Sequence, residues 1–121
     1  MQYLLLIYEN EQNWSTLSEA EAGKTMGEYG AFTQAIAKSG HYKGGNPLQP
    51  IKTATTVRLR DGKRQTTDGP FAETREQLGG YYLVDAKDLD EAIGIAERIP
   101  AARTGSIEVR PIMNMPGSAQ A

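Results

Sequence analysis

The sequence contains no cysteine, which excludes disulfides, thiolate metal sites and cysteine nucleophiles. Histidine occurs once, at position 41, so no metal motif that requires two histidines can form within the chain. A lack of cysteine is typical of proteins in a reducing compartment, and we therefore expect a cytoplasmic protein.

The chain also lacks a basic excess and a long apolar run. Its 13 Lys and Arg residues against 15 Asp and Glu residues give a net charge of -2, whereas general nucleic-acid binders usually carry a clear positive excess. No apolar run approaches the roughly 18 residues that span a bilayer. The opening MQYLLLIYENEQ has neither a positive n-region nor a small-residue cleavage site, so it resembles a strand more than a signal peptide. We therefore expect no nucleic-acid partner and no membrane partner.

The length fits a single domain. A chain of 121 residues leaves little room for a second one. We predict one domain over residues 1–113 and a flexible tail over 114–121.

The first part of the chain is predicted as a strand, a helix and a loop. Residues 3–8 are apolar at every position, which is typical of a strand buried on both faces. Two overlapping capping-box patterns, Thr16 with Glu19 and Ser18 with Glu21, precede a helix that Gly40 ends. Residues 41–50, HYKGGNPLQP, contain two glycines and two prolines and are predicted to be a loop.

The second part begins with a hairpin. Residues 53–59 alternate between two faces as in a half-solvated strand, and Asp61-Gly62 predicts a tight turn after which residues 63–67 return antiparallel. A buried strand is predicted over 80–85 and a last strand over 106–112. Between them, a helix capped by Asp88 is predicted, and its apolar face consists of Leu89, Ala92, Ile93, Ala96 and Ile99.

This order predicts an α+β fold of the ferredoxin-like β-α-β-β-α-β type with an extra hairpin strand. It has a four-stranded antiparallel sheet with helices on one face. The first strand would be central, and one of its two sets of side chains must face away from the helices. The two sets are Tyr3, Leu5 and Ile7, and Leu4, Leu6 and Tyr8. Exposure of such side chains forfeits roughly 1.5–3 kcal/mol each. We therefore predict a homodimer in which two sheets pair face to face around a barrel-like interior, with ligand clefts at the edges.

The stretch TTDGPFAETREQLGGYY, residues 66–82, is longer than a simple connection between strands requires. Gly69 and Pro70 constrain the backbone beside Asp68. The carboxylate could cap its own turn, as aspartates at bends often do. It could instead act as a general base or ligand anchor, with Phe71 closing the pocket wall.

Other candidates surround this aspartate in the sequence. The predicted ligand-binding residues are Arg58, Pro70, Phe71, Glu76, Gly79, Gly80 and Tyr81. Arg58 would receive an anionic group. The two glycines would allow close approach of a ligand, although a bulge or tight strand packing explains them equally well. His41 is either an acid–base partner of Asp68 or an ordinary surface histidine at a helix end. No metal site and no cofactor is predicted.

These segments together resemble a known family. TTDGPFAETREQLGGYYLVDAKDLDEAIGIAERIP and the following GSIEVRPI, together with YLLLIYENEQNW, GGNPLQP and TATTVRLRDGK, closely resemble the DGPF branch of the YCII-related proteins. The resemblance covers essentially the whole chain and implies a dimeric α+β barrel. It also implies a functional aspartate, which matches Asp68. The family's histidine is expected on or near the first helix, where this chain has none, so a histidine–aspartate pair does not transfer.

Two function classes follow. One is a small-molecule site in which Asp68 performs acid–base chemistry on a small polar metabolite without a redox cofactor. The other is a non-catalytic dimeric module that binds a ligand or a regulatory partner. For the second class, the resemblance implies an association with an extracytoplasmic-function sigma factor.

Overall fold

The computed structural model describes residues 1–115, so the predicted tail lies outside the described residues from 116 onward. The strands are β1 (Gln2–Glu9), β2 (Tyr42–Pro47), β3 (Thr55–Arg60), β4 (Lys63–Asp68), β5 (Gln77–Asp85) and β6 (Ser106–Pro111). The helices are α1 (Gln12–Ser15), α2 (Glu19–Lys38) and α3 (Leu89–Ala96), and short 3-10 turns occupy Ile51–Thr53 and Pro100–Arg103. Among the described residues, no helix is long and apolar enough to cross a membrane.

Four strands form one antiparallel sheet in the order β2-β5-β1-β6. The strand β1 is central because its side chains can be buried on both faces. Tyr3, Leu5 and Ile7 point into a core that also contains Phe32 and Ile36 of α2, together with residues of α3. Both long helices therefore cover the same face of the sheet, and the predicted ferredoxin-like α+β class is confirmed.

The second of the two predicted capping boxes starts α2. The hydroxyl of Ser18 accepts from the Glu21 amide at 3.1 Å, and the Glu21 carboxylate accepts from the Ser18 amide at 3.1 Å. The helix ends at Lys38, and Gly40 follows its C-cap with a φ of +85° that suits glycine. The His41 amide donates to the Ile36 carbonyl at 2.9 Å.

The predicted apolar face of α3 is partly wrong. Leu89 and Ile93 are 49% and 48% exposed, whereas Ile95 is buried. The helix buries Ala92, Ile95 and Ala96, which follow one another at helical spacing. The core face is therefore rotated by part of a turn from the predicted one.

The loop predicted for residues 41–50 is also wrong in part, because Tyr42–Pro47 forms the edge strand β2. An edge strand tolerates glycine and proline better than a central one, since only one side must hydrogen-bond. At Gly45 a Cβ atom would lie 2.8 Å from the Tyr81 carbonyl oxygen, so this glycine lets β2 approach β5. The same residues that argue against a strand make this close pairing possible.

The predicted hairpin is confirmed, but it forms a separate two-stranded sheet from β3 and β4. Its turn is formed by Asp61 and Gly62 with φ of 52° and 73°, as in the type I′ turns that suit hairpins. The second strand of the ferredoxin-like sheet is thus β2, and the hairpin is an addition to that sheet.

Candidate functional site

Asp68 is the last residue of β4, opposite Thr55 of β3. The bend after it is held by Gly69, whose φ is +96°. The Gly69 amide donates to the Ala54 carbonyl at 2.7 Å, and the Gly69 carbonyl accepts from the Thr56 hydroxyl at 2.8 Å. Within residues 1–115 the Asp68 carboxylate, which is exposed, has no hydrogen-bond partner. The backbone of Gly69, and not the carboxylate, therefore closes this turn.

The hairpin of β3 and β4 has two distinct faces. Side chains alternate along a strand, and directly opposed residues point to the same side. Asp68 therefore shares a face with Val57 and Leu59, while Arg58 lies on the opposite face. Val57 and Leu59 are 62% and 67% exposed, so the apolar side chains of this face, which also carries Arg64 opposite Leu59, are uncovered in the single chain. We call the hairpin of residues 55–68 the arm.

The segment that follows the arm does not form a closed pocket within one protomer. Pro70 is exposed and Phe71 is 78% exposed, so neither acts as a pocket wall here. Glu76 is half-buried, and its Oε1 accepts from the Ser106 hydroxyl at 2.8 Å. This bond fixes the end of the segment to the start of β6.

Gly79 and Gly80 serve strand pairing in this structure. Gly79 lies at the irregularity where the register between β1 and β5 shifts, and its carbonyl accepts from the Leu48 amide at 2.9 Å. Gly80 is buried, and a Cβ atom there would lie 3.0 Å from the Asn46 carbonyl oxygen. The bulge and the close strand approach both occur. Tyr81 is half-buried, and its hydroxyl accepts from the Asn46 side-chain amide at 2.8 Å.

His41 is engaged on both sides of its ring. Nδ1 lies 2.6 Å from the Ser39 hydroxyl, and Nε2 lies 3.1 Å from the Glu91 carboxylate. The same Glu91 oxygen accepts from the Lys87 amide at 3.0 Å, and this bond, with a smaller contribution from His41, lowers the pKa of Glu91. His41 thus connects the end of α2 to the start of α3, and in this protomer it has no contact with Asp68.

The face of the sheet that points away from the helices is uncovered. Leu4, Leu6 and Tyr8 of β1 point to this side and are half-buried, with Tyr81 and Leu83 of β5 beside them. We call these five residues the open face. Glu108 and Arg110 of β6 border it, opposite Leu6 and Leu4 respectively. The open face corresponds to the uncovered set of side chains expected from the sequence.

The family model for the YCII-related domain matches residues 1–116. The chain belongs to the YCII-related family.

Relatives of this YCII-related chain support the fold. The uncharacterized protein R00369 of Rhizobium meliloti (strain 1021) is 39% identical over 114 residues, which cover 93% of this chain and 92% of that protein. A similar solved structure is the 5-chloro-2-hydroxyhydroquinone dehydrochlorinase TftG from Burkholderia phenoliruptrix AC1100, in complex with 2,5-dihydroxybenzoquinone. It has a TM-score of 0.56 over 97% of this chain and 98% of that chain, at 12% identity. At this identity the likeness shows the shared fold alone.

One cavity of this YCII-related protein was not predicted from the sequence. A cavity of about 100 Å³ lies where β1 ends, and its lining contains none of the residues predicted from the sequence. Its side chains come from four separate segments, so no local motif marks it. No group of three or more His, Asp or Glu side chains suited to a metal ion occurs in the described part of the chain.

Proposed function

We propose that this YCII-related protein is a homodimer of the DGPF branch that binds a small polar molecule beside Asp68, with Asp68 as acid, base or hydrogen-bond anchor. The observation that carries the proposal is the state of the carboxylate. Asp68 has no hydrogen-bond partner within residues 1–115, and Gly69 performs the turn-closing role that would otherwise occupy it. A carboxylate that is not needed for its own turn is available to a ligand.

The open face supports the homodimer. It presents apolar side chains on a sheet whose other face is already covered by helices. Burial of each such side chain recovers up to roughly 1.5–3 kcal/mol. A second copy would present the same apolar surface, so two open faces match each other in chemistry.

The arm supports a site at the subunit boundary. Its apolar face carries Val57, Leu59 and Asp68 together and is uncovered in the protomer. The arm contains four cations and two carboxylates, whereas the whole chain has a net charge of -2. A basic arm and an acidic remainder favour docking of the arm on a second copy, which would desolvate Asp68 and provide the walls that one protomer lacks.

The proposed chemistry is proton transfer or elimination. Asp68 would take a proton from a C–H or O–H group while a leaving group departs with its bonding electrons, so no redox partner is required. The relative that shares this fold is a dehydrochlorinase in complex with a small cyclic dione. Small polar or anionic cyclic molecules are therefore the first ligands to test.

Substitution of Asp68 tests the proposal. Asp68→Asn removes the charge at nearly constant volume, and Asp61→Asn makes the same change at the arm's turn, where asparagine tolerates the positive φ of 52°. Ligand-observed NMR with 2,5-dihydroxybenzoquinone and related uncharged cyclic molecules that carry O–H donors should show binding to the wild type. We expect binding to weaken about tenfold or more in Asp68→Asn, the equivalent of about 1.4 kcal/mol, and to stay unchanged in Asp61→Asn. Equal binding by all three proteins would remove Asp68 from the site.

The exposed apolar residues of the arm favour a second candidate, a regulatory module that docks on a protein. Val57 and Leu59 could contact a sigma factor in place of a second copy. A pull-down with the purified sigma factor, repeated with Leu59→Ser, distinguishes the two. The regulatory module is favoured if the sigma factor is captured by the wild type and by Asp68→Asn but not by Leu59→Ser.

A further inference from the structure

The cavity of about 100 Å³ lies between the end of β1, the short α1, the start of α2 and the 3-10 turn Pro100–Arg103. Trp14 and Tyr29 line it together with the carboxylate-bearing Glu9 and the guanidinium-bearing Arg103. A volume of this size exceeds what one water molecule requires and accommodates a headgroup of several non-hydrogen atoms. The cavity combines aromatic surface with ionised groups.

The charges around the cavity are not balanced locally. Arg103 forms a two-pronged ion pair with Glu28, with both N–O distances at 3.0 Å. Its Nε donates to the Pro100 carbonyl at 3.2 Å, so the guanidinium is already occupied. Glu9 is different, because its carboxylate accepts only from uncharged donors: the Trp14 indole N–H at 3.1 Å and the Thr104 hydroxyl. Among the described residues that line the cavity, Glu9 is left without a countercharge.

Tyr29 is a neutral hydrogen-bonding group of the cavity. Burial raises the pKa of Tyr29 to about 12, with a smaller contribution from the negative charge of Glu9 and smaller opposing effects of the Ala101 backbone and the Arg103 guanidinium. The phenol therefore keeps its proton at physiological pH. Because Arg103 is paired with Glu28, the unpaired charge at the cavity is that of Glu9, which attracts a cation and repels an anion.

We propose that this cavity is a binding site for a small organic ammonium group, held by Glu9 and flanked by Trp14 and Tyr29. Each carboxylate oxygen has two lone pairs, so the Glu9 oxygens can still accept from an ammonium N–H. Tryptophan and tyrosine are the aromatic side chains that attract cations most strongly. One carboxylate beside an indole does not supply the six or more oxygen ligands of Ca²⁺, so the chemistry favours an organic cation over that metal ion. The inference is independent of Asp68 and of dimer formation.

The tryptophan provides a direct assay. Trp14 is the chain's one tryptophan, so its indole N–H gives one identifiable NMR cross-peak located at the cavity. The probe is methylammonium chloride, titrated against sodium chloride at matched ionic strength. We expect a saturable shift of this cross-peak with methylammonium and not with sodium.

The affinity for methylammonium should fall about tenfold in Glu9→Gln, which keeps the shape of the side chain and removes its charge. The matched control Glu19→Gln, an exposed carboxylate at the start of α2, should bind as the wild type does.

A second pair of variants keeps the test decisive should Glu9→Gln fold poorly. Tyr29→Phe retains the aromatic ring, and the affinity should stay within about twofold of the wild type, whereas Tyr29→Leu removes the ring and should bind several-fold more weakly. The absence of a saturable shift in the wild type would overturn the proposal. So would an equal shift with sodium, or unchanged affinity in folded Glu9→Gln or in Tyr29→Leu.

Discussion

Gly45→Ala should destabilise the protein, while the same change one residue earlier should not. At Gly45 the added methyl would lie 2.8 Å from the Tyr81 carbonyl oxygen and 2.9 Å from the Tyr82 ring, whereas nothing lies within 4 Å at Gly44. Because backbone on one side and a packed ring on the other resist movement, β2 must shift away from β5. Overpacking of this kind typically costs about 1–3 kcal/mol. Restriction of the unfolded chain by alanine offsets about 0.4–1 kcal/mol of this cost, so a net loss of up to about 2.6 kcal/mol is expected.

The assay is urea unfolding of the wild type and both variants at one protein concentration. A fixed concentration matters because dimer formation would make the stability depend on it. Gly44→Ala should be neutral or up to about 1 kcal/mol more stable, since the methyl meets no neighbour. For a domain of this length, each kcal/mol corresponds to about 4 °C in the melting temperature. Equal stabilities of the two variants would refute the inference that β2 depends on close approach at Gly45.

Three further outcomes are expected. Ser18→Ala should cost about 1 kcal/mol in urea unfolding because it removes the N-cap of α2; an unchanged midpoint would contradict this role. The pKa of Glu91 is lowered in the folded protein, so its stabilising effect is present above the unfolded pKa and is lost as the pH falls through the folded value. Glu91→Gln should accordingly flatten the acid side of the stability–pH curve below about pH 4.5, and a curve identical to the wild type would count against the contact. Leu6→Lys on the open face should convert the proposed dimer to a folded monomer by light scattering; an unchanged mass would exclude the open face as the interface.

The sequence predicts most of the main sheet because the signals there are strong and local. Residues 3–8 are apolar at every position, and this places β1 in the centre of the sheet. Ser18 with Glu21 marks the start of α2, and Asp61-Gly62 marks the hairpin turn. Each of these patterns spans only a few residues, so it determines the local backbone structure independently of contacts with the rest of the chain.

The strand β2 could not be predicted because its stability comes from contact with β5. Glycine normally weakens a strand, but here Gly45 and Gly80 let two backbones approach closely. The rotation of the α3 core face has a similar origin. Ile93 and Ile95 are both good core residues, and only the packing of α3 against β6 and the rest of the core decides which of them is buried.

The candidate site is harder to predict because it depends on surfaces distant in the sequence. The sequence identifies Asp68 as a candidate but does not reveal that Gly69 closes its turn. It also suggests Arg58 as a supporting residue, yet the alternation of the arm places Arg58 on the opposite face from Asp68. The cavity beside Glu9 has no local signature, since it joins residues as far apart in the sequence as Glu9 and Thr104, which are 95 positions apart.

The position of Asp68 on the arm would make its proposed chemistry depend on the proposed dimer. A carboxylate surrounded by water is a weak general base, and burial strengthens it because the charged form loses its hydration. In one protomer Asp68 is exposed beside Val57 and Leu59, and Phe71 does not cover it. Docking of the arm on a second copy would bury the two apolar side chains and the carboxylate in one step. Leu6→Lys should therefore weaken ligand binding at least as much as Asp68→Asn does, although Leu6 lies on the open face, and Asp68→Asn should weaken it without changing the mass. Ligand binding retained in a monomeric Leu6→Lys protein would show that a single protomer completes the site.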